Sequence, residues 1–513
     1  MHLTAAAVFA NIADMKNEII SVPSAASAFA TRRGFLAGFG AFGLACGARG
    51  IDLAPREAFS GKVSGRRLKI ASIGCGGMGR AATESLIGAG CDLVAVCDID
   101  PSAFDHWEKK YPGIPKFTDY REMLKTMGDR FEAVQVGTPD HTHAYISIDC
   151  MYAGKHVYVQ KPLARTFEEC EMMLDVSLKT GRVVQMGNQG HPGVRRYEAL
   201  RDAGFWGDIK AIYSWSDRPV WPQGMKEYAK AEPLPANFAK EAWDCWCGPA
   251  ADHGYSPAYH RFKWRGWWDY GCGAIGDMAV HNADPAFWAF SLGLPVKIKG
   301  DTFGTGPATV AYPKKSRIEM EFAPNKWIPN GVTLVWTDGH VKPDPAEIPG
   351  LEAFAMKKAE KAEKEKAAKA KKEGKPYAAP ATLAPLVPGN GIIIVGTKGT
   401  TIGDSHAKRP VCIAGDAKAF DAAIAKGDAK AKYSHYREFV EACLAGTPDA
   451  CGSRLAYAAP LTEALLLGCV SLRWPGETLR FDPKAKMFVG KPEADLLLKA
   501  PKRGTWDFST LAR

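Results

Sequence analysis

The most constraining feature of the chain is a glycine-rich turn between an apolar strand and a helix. The segment Gly74-Cys75-Gly76-Gly77-Met78-Gly79 fits the pattern G-x-G-x-x-G directly after the apolar run at 68–74. In this pattern the first glycine permits a tight turn, the second lets a pyrophosphate approach the backbone, and the third lets helix and strand pack closely. The N-terminus of the helix also faces the negative charge. We therefore expect a dinucleotide to be bound by Gly74, Gly76, Gly77, Met78 and Gly79.

An acidic residue ends the next strand at the spacing that a dinucleotide site requires. The run DLVAVCD at 92–98 ends in Asp98, nineteen residues after Gly79. A carboxylate at this place accepts hydrogen bonds from the ribose hydroxyls. No Arg or Lys is adjacent to Asp98 in the sequence to hold a 2′-phosphate, so the pattern favours NAD over NADP as the cofactor.

Short apolar runs alternate with helical segments from residue 68 onward. Strands are predicted at 68–74, 92–98, 115–119, 133–139, 156–162 and 183–189, and a helix is predicted from Thr166 to Thr180. Strands that alternate with helices predict a parallel, doubly wound sheet. The fold class is therefore α/β, with an N-terminal Rossmann domain at 67–190.

A different pattern follows residue 195, where Trp and Tyr become dense. Apolar runs at 316–322, 331–336 and 391–396 predict a C-terminal α+β domain at 191–510 with a large open, mostly antiparallel sheet. An insert at 355–388 is rich in Lys, Glu and Ala and then in Pro. Such a composition is typical of a surface helix or a disordered excursion away from the chemistry.

Residues 1–50 have the pattern of an export leader, followed by a linker arm at 51–66. Arg32 and Arg33 precede fourteen uncharged, mostly apolar residues at 35–48, a run too short to span a bilayer. Twin Arg before such a run is typical of a twin-arginine signal, and a mildly amphipathic leader is the alternative. We expect the export machinery as a partner and a periplasmic or otherwise exported location. Cys46 lacks a good lipobox, so lipidation is not expected.

The composition excludes some classes of function. The 513 residues are 46% hydrophobic and 24% charged, as in globular proteins. Residues 357–375 hold nine Lys and four Glu and so supply five of the ten net positive charges. Because this charge belongs to one solvated segment, no nucleic-acid partner is expected. The thirteen Cys are odd in number and several lie in apolar runs, so they are predicted to be buried thiols. Cys245 and Cys247 have no second pair, and no metal site is predicted.

Three further segments resemble motifs of the Gfo/Idh/MocA family of oxidoreductases, and the resemblance extends over about 67–510. Residues 137–143, GTPDHTH, are similar to the family's loop beneath the nicotinamide ribose. Residues 159–162, VQKP, are similar to its Glu-Lys-Pro segment, with Gln160 in place of Glu. Residues 276–281, GDMAVH, are similar to the helix that carries Asp and His four residues apart.

The resemblance implies a cofactor site and a catalytic group. The implied NAD contacts are Thr138, Pro139, His143 and Lys161. When a hydride leaves a carbinol carbon, the hydroxyl proton must leave as well, and Lys161 can polarise or deprotonate that hydroxyl. His281 is the other candidate base, and Asp277, one turn away on the same helix face, can orient it. The alternatives are a surface lysine at a strand end and an ordinary ion pair on a helix surface.

Between these motifs lies an aromatic segment at 259–270 with interleaved Arg, Asp and His. Aromatic faces stack on sugar rings and polar side chains read hydroxyls, although an aromatic domain core has the same composition. The candidate substrate residues are Gln189, Trp264, Arg265, Trp268 and Asp269.

These features support three hypotheses about function. The first is an NAD-dependent oxidoreductase with tightly bound cofactor that acts on a secondary hydroxyl of a sugar or glycoside. The second is an NAD-dependent glycosidase that uses transient C3 oxidation and elimination, a reaction also found in the family. The third is a non-catalytic sugar or nucleotide sensor, in which Lys161 and His281 would be dispensable. The resemblance also implies a homo-oligomer.

Overall fold

The computed structural model describes residues 65–511, and within them the chain forms two β-sheets covered by helices. The leader predicted at 1–50 and nearly all of the linker arm predicted at 51–66 lie outside the described residues. The first sheet has six strands and the second has nine.

The first sheet is parallel throughout and lies where the alternating pattern predicts it. Its strands are β1 (Leu68–Ile73), β2 (Cys91–Cys97), β3 (Lys116–Phe117), β4 (Ala133–Val136), β5 (His156–Val159) and β6 (Val184–Met186). Their order is β3-β2-β1-β4-β5-β6, and each neighbouring pair is parallel. Ile70 packs into one buried cluster while Ala71 and Ile73 pack into another, because helices cover both faces. The prediction of a doubly wound sheet is confirmed.

Five helices connect these strands. They are α1 (Gly77–Ala89), α2 (Asp105–Lys110), α3 (Tyr120–Met127), α4 (Asp140–Tyr152) and α5 (Phe167–Thr180). Helix α5 begins with a capping box, in which the Thr166 hydroxyl accepts from the Glu169 amide and the Glu169 carboxylate accepts from the Thr166 amide. The helix predicted from Thr166 to Thr180 therefore forms, with Thr166 as its N-cap.

The second sheet is mostly antiparallel, as predicted. Its strands are β7 (Ile209–Ser216), β8 (Lys297–Asp301), β9 (Arg317–Phe322), β10 (Val332–Thr337), β11 (Asn390–Gly396), β12 (Thr400–Gly403), β13 (Val411–Ala414), β14 (Thr478–Asp482) and β15 (Met487–Phe488). The order is β13-β12-β11-β7-β10-β9-β8-β14-β15, and only β7 and β10 pair in parallel among these strands. In β9 the alternate residues Ile318, Met320 and Phe322 are buried, which fixes the face toward the core.

Helices of the second half pack on both sheets. They are α6 (Val194–Asp202), α7 (Ala242–Cys247), α8 (Gly273–Asn282), α9 (Asp284–Phe290), α10 (Leu351–Lys372), α11 (Ala417–Lys430), α12 (His435–Ala445), α13 (Leu455–Ser471) and α14 (Pro492–Asp495). Phe439 and Val440 of α12 share a buried cluster with Leu68 and Ile70 of β1. Helix α12, from late in the chain, thus packs against the first domain. The predicted boundary at residue 190 does not include this helix.

The Lys-rich insert forms a surface helix that is anchored at one end. Helix α10 begins at Leu351, whose side chain is buried, and Phe354 follows on the same packed side. Both residues pack with Trp215 of β7 and Ile393 of β11. The first turns therefore cover part of the second sheet, while the Lys-rich remainder is largely exposed.

The cysteines, candidate metal ligands and apolar helices can be compared with the sequence within residues 65–511. The twelve cysteines between residues 65 and 511 are all free and ten of them are buried, as the sequence predicts. In the same part of the chain no group of three or more His, Cys, Asp or Glu residues is placed to hold a metal ion. No described helix combines the length and the apolar character needed to cross a bilayer.

Candidate active site

A cavity of about 750 Å³ lies at the carboxyl ends of β1, β2, β4 and β5. In open α/β sheets, ligands bind at this edge. The glycine turn and Asp98 line one end of the cavity, and Lys161 and Arg265 line it as well. The segment that supplies Arg265 comes from the second half of the chain, so both halves form the walls.

The glycine turn is packed too tightly for side chains. A Cβ on Gly74, whose φ is +73°, would lie 2.6 Å from the backbone of Gly137 and Thr138. A Cβ on Gly79 would lie 1.8 Å from the carbonyl oxygen of Gly74. Gly74, Gly76, Gly77 and Met78 line the cavity, whereas Gly79 holds α1 against the strand behind it. Bare backbone and the N-terminus of α1 at the cavity wall fit the pyrophosphate of a dinucleotide.

Asp98 is fixed at the end of β2 by two backbone donors. Its Oδ2 accepts from the amide of Gly76 at 3.1 Å and its Oδ1 accepts from the amide of Asp100 at 3.0 Å. Burial raises the pKa of Asp98 to about 6, against the lowering effect of these hydrogen bonds. The carboxylate is thus joined to the glycine turn and lines the cavity where the cofactor's ribose would be read.

A basic side chain lies near this acidic loop although none is adjacent in sequence. Arg261, from the second half of the chain, forms an ion pair with Asp100 and donates to the Ser102 hydroxyl at 2.8 Å. The side chain is 65% exposed, and two of its nitrogens, Nε and Nη2, are engaged by the loop itself. Arg261 and Asp100 are 161 positions apart in the sequence, so only the fold brings them together.

The loop after β4 is tied to the Lys161 segment by a histidine. The ring of His143 lies 2.8 Å from the Thr138 carbonyl through Nε2 and 2.8 Å from the Pro162 carbonyl through Nδ1. Burial lowers the pKa of His143 to about 4. Thr138, Pro139 and His143, the predicted cofactor contacts of this loop, all line the cavity.

Lys161 sits at the end of β5 and is held by one acidic residue. Its Nζ donates to Oδ1 of Asp277 at 2.8 Å and to the Asp277 backbone carbonyl at 2.8 Å. The two side chains are 12% and 10% exposed. Burial acts to raise the pKa of Asp277, but the charges of Lys161 and Arg265 outweigh it and hold that pKa below its usual range. The carboxylate is therefore ionised and positions the amine.

The structure corrects the predicted pairing of Asp277 with His281. Although both lie on α8, the carboxylate of Asp277 is taken by Lys161 and by Arg265, which donates at 3.3 Å. The His281 ring is buried and its Nδ1 has no hydrogen-bond partner. Burial, followed by the charge of Lys161, lowers the pKa of His281 well below its usual value. His281 is a neutral ring beside Lys161 that is not oriented by Asp277.

The partner of His281 is His406, a residue that lies outside every motif of the sequence. The two rings stack with centroids 3.9 Å apart and an angle of 23° between their planes. His406 has a φ of +61°, and a Cβ on Gly190 would lie 2.1 Å from its carbonyl oxygen. A tightly packed left-handed turn thus carries His406 to the site from the loop after β12. No motif surrounds His406, so only the fold reveals it.

The predicted substrate residues divide into two groups. Trp264 and Arg265 line the cavity. The structure corrects the expectation for Trp268 and Asp269, which do not line it. Trp268 stacks on Tyr312 at 5.0 Å in the core, and Asp269 accepts from Tyr228 at 2.6 Å. These two side chains serve the aromatic core, the alternative that the composition left open.

Gln189 lies behind Gln160 rather than on the cavity wall. Its Nε2 is 3.5 Å from Oε1 of Gln160, which does line the cavity. The Gln160 Nε2 is buried without a hydrogen-bond partner. The residue that departs from the family's Glu-Lys-Pro segment is therefore a neutral amide next to Lys161.

Family models match both halves of the chain. Residues 68–188 match the model described as "Oxidoreductase family, NAD-binding Rossmann fold". Residues 210–328 match the model described as "Oxidoreductase family, C-terminal alpha/beta domain". The fold and site thus define an NAD-binding, two-domain oxidoreductase architecture. The chain belongs to the Gfo/Idh/MocA family, as the motifs predict.

Curated relatives match mainly in part of their length. A 1-carboxy-3-chloro-3,4-dihydroxycyclohexa-1,5-diene dehydrogenase of Comamonas testosteroni is 31% identical over 28% of this chain and 37% of its own. An inositol 2-dehydrogenase of Rubrobacter xylanophilus is 30% identical over 33% of this chain and 46% of its own. An alpha-N-acetylgalactosaminidase of Shewanella oneidensis is 32% identical over 23% of this chain and 28% of its own. The chain spans less than half the length of each of these relatives.

A solved structure extends the likeness to the whole fold. The WlbA dehydrogenase of Chromobacterium violaceum, crystallised with NADH and UDP-GlcNAcA, aligns with a TM-score of 0.52. The alignment covers 83% of this chain and 98% of that protein at 17% identity. At this identity the likeness establishes the fold alone.

Proposed function

We propose that the protein is an NAD-dependent oxidoreductase that oxidises a secondary hydroxyl of a sugar or glycoside. The observation that carries this proposal is the position of Lys161. Its amine is fixed by Asp277 on the wall of the same cavity that the glycine turn and Asp98 line. NAD, when bound there, supplies the hydride acceptor.

The residues around Lys161 can manage the proton that leaves with the hydride. Two N–H groups of Lys161 are donated to Asp277, which leaves one position of the amine for a substrate hydroxyl. In our proposal the Lys161 amine, in its uncharged form, accepts the hydroxyl proton through its lone pair as the hydride leaves the carbon, and Asp277 is the positioning residue that keeps Nζ at the cavity. His281 is a second candidate base, because burial keeps its ring neutral at physiological pH.

A redox-neutral glycosidase is the second candidate function. The relative from Shewanella oneidensis carries a glycosidase name, and its match includes 23% of this chain. In that reaction a C3 hydroxyl is oxidised, the aglycone is eliminated, water is added and the ketone is reduced again. The same Lys161 would serve, so the product separates the two candidates. A sensor without turnover is the third candidate.

We also propose that the enzyme is exported by the twin-arginine route and acts in the periplasm. The twin Arg at 32–33 and the apolar run at 35–48 support this proposal. Because a free nicotinamide pool is not expected outside the cytoplasm, NAD would be loaded before export and held tightly. Its redox cycle would then close on the enzyme, either through a second, sugar-like acceptor that takes the hydride or through a redox-neutral elimination and hydration. A homo-oligomer is proposed from family membership, and size-exclusion chromatography with light scattering measures it.

Analysis of the purified full chain tests the proposed function. Denaturation should release close to one NAD(H) per chain, and incubation with sugars and glycosides should give little net NADH in solution. A keto-sugar product supports the oxidoreductase, and a cleaved glycoside without net oxidation supports the glycosidase. An empty protein that needs added NAD and releases stoichiometric NADH would contradict the retained cofactor. A panel in which no sugar is oxidised or cleaved would leave only the sensor.

A further inference from the structure

Three cationic side chains surround the single carboxylate of Asp277. Lys161 Nζ lies 2.8 Å from Oδ1, Arg265 Nε lies 3.3 Å from Oδ1, and Arg218 Nε lies 3.9 Å from Oδ2. Lys161 and Arg265 are 12% and 16% exposed, so water screens them poorly, and Arg218 is 35% exposed. Asp277 neutralises one of these charges, and the two guanidinium groups alone still outnumber it when the Lys161 amine is the uncharged base. Of this group Lys161 and Arg265 line the cavity, and Arg218 reaches them through Asp277, so an excess of positive charge lies at this side of the cavity.

The neighbouring acids do not remove the excess. The Asp140 carboxyl is buried, its Oδ2 accepts from the Cys272 amide, and burial raises its pKa to about 7. It is therefore only partly ionised at neutral pH. Asp217, adjacent to Arg218 in the sequence, instead forms an ion pair with Lys342. Within residues 65–511 no other carboxylate lies within ion-pair distance of Arg218 or Arg265.

A buried tryptophan lies close to both guanidinium groups. Arg218 lies 5.6 Å and Arg265 lies 5.7 Å from the ring centroid of Trp221. The Trp221 indole donates to Gln223 at 2.9 Å, and Gln223 donates to the Pro313 carbonyl at 2.6 Å. The ring is thus fixed from behind. Cation–π contacts of this kind restrict the arginines before any ligand arrives.

The Arg218 guanidinium still has its donors available. In the described part of the chain it donates no hydrogen bond, and its separation of 3.9 Å from Asp277 is too long for one. Arg265 donates from Nε to Asp277 and from Nη1 to the Phe262 carbonyl, so its Nη2 is uncommitted. Guanidinium groups bind oxyanions such as carboxylate and phosphate through paired N–H donors.

We propose that the substrate sugar carries an anionic group, a carboxylate or a phosphate, which Arg218 and Arg265 bind beside Lys161. The proposal rests on the proposed oxidation of a sugar hydroxyl at Lys161. A neutral sugar would leave the positive charge uncompensated next to the nicotinamide site. An oxyanion would neutralise it and fix the sugar relative to the amine.

Matched sugars of different charge test this proposal on the NAD-loaded full chain. The probes are D-glucose, D-glucuronate and D-glucose 6-phosphate, together with the three galacto analogues. Binding is measured by calorimetry, and oxidised product is measured after single and multiple turnovers. We expect one anionic member to bind about 10- to 100-fold more tightly than its neutral analogue. Tighter binding of the uronate or of the sugar phosphate shows whether the anion is a carboxylate or a phosphate.

Variants of the arginine assign the preference to this site. Arg218→Gln should reduce the ratio of anionic to neutral affinity by about 10- to 100-fold, and Arg218→Lys should restore part of it. Arg437→Gln, which removes an exposed arginine on α12, is the matched control and should leave the ratio unchanged. Because Arg218 is about one-third exposed, its replacement should not prevent folding.

The outcomes separate this inference from the proposed function. Equal affinity for neutral and anionic sugars, or a ratio that Arg218→Gln does not change, overturns the anionic substrate while oxidation at Lys161 stands. Arg218-dependent binding of an anionic sugar that is neither oxidised nor cleaved supports the anion site and overturns the proposed function. A panel in which no sugar binds overturns both.

Discussion

The two ends of the cavity are built in different ways. At the glycine end the recognition elements are bare backbone and one carboxylate, and they come from one short stretch of sequence, 74–98. At the cationic end Lys161 and Arg265 line the cavity, and Asp277 joins them to Arg218, so the four side chains come from four separate segments. The glycine end is a local structure with a defined shape. The cationic end is a constellation of charges that only the folded chain brings together.

The histidines show the same contrast. Both ring nitrogens of His143 lie within hydrogen-bond distance of backbone carbonyls, and the same holds for His141, beside the Tyr270 and Trp246 carbonyls. These rings hold loops in place. His281 instead stacks on His406 and has a buried nitrogen without a partner. The two histidines of the 137–143 loop therefore serve the architecture, whereas chemistry is open to His281, whose ring the fold leaves unsatisfied.

Removal of the Lys161 amine should give the largest effect, because it should affect catalysis at the cationic end and leave NAD binding at the glycine end unchanged. Lys161→Ala is expected to lower kcat by about 10²- to 10⁴-fold, the usual contribution of an acid–base group. NAD content should stay near the wild-type level, because the glycine end is unchanged and Asp277 keeps Arg265 as a partner. Product formation and NAD released on denaturation are the two measurements.

A lysine far from the cavity provides the control for this experiment. Lys426→Ala removes an exposed lysine from α11 and should leave both measurements unchanged. If Lys161→Ala retains near wild-type kcat with NAD bound, Lys161 has no part in proton transfer. The cationic end would then serve binding alone.

A methyl group at the third glycine should damage the opposite end. Gly79→Ala places a Cβ 1.8 Å from the Gly74 carbonyl oxygen, and a backbone atom cannot move aside cheaply. We expect a loss of about 3 kcal/mol or more of stability, together with loss of retained NAD. Gly88→Ala lies in the same helix with nothing within 4 Å and should stabilise the protein by up to about 1 kcal/mol. Urea unfolding and NAD content compare the pair, and equal behaviour of the two variants would falsify the packing argument.

The fold was predictable because its signals are periodic and local. Apolar runs such as the one at 68–74 are buried on both faces of a parallel sheet, so they read as continuous strands. In β9 the alternation of buried and half-exposed residues gave the second sheet. The packing of α12 on β1 could not be predicted, since no local pattern links Phe439 to Ile70.

The part of the site that a backbone motif defines was predictable from the sequence. The part that is defined by contacts between charged side chains was less predictable. Asp277 and His281 are one turn apart on α8, and this spacing suggested a pair. The pairing was wrong because Lys161 and Arg265 approach the same carboxylate from other segments and bind it more strongly than a neutral ring can. Trp268 and Asp269 follow Arg265 by three and four residues in the sequence, but their side chains point into the aromatic core. Composition alone does not tell these directions apart.

The charge at the glycine end gives the smallest expected effect, a dependence of cofactor choice on pH. Burial raises the pKa of Asp98 to about 6, so its carboxyl is ionised at pH 8 and mostly protonated at pH 5. Only the ionised form repels the 2′-phosphate of NADP. After removal of the bound cofactor, the preference for NAD over NADP should be about tenfold greater at pH 8 than at pH 5, corresponding to about 1.4 kcal/mol of repulsion.

The 2′-phosphate also titrates in this range, so Asp98→Asn, which keeps the acceptor for Gly76, is the matched control. His260 adds no change because burial lowers its pKa to about 4. The variant should lose preference at pH 8 and converge with the wild type at pH 5, and parallel pH profiles for the two proteins would show that Asp98 does not select the cofactor.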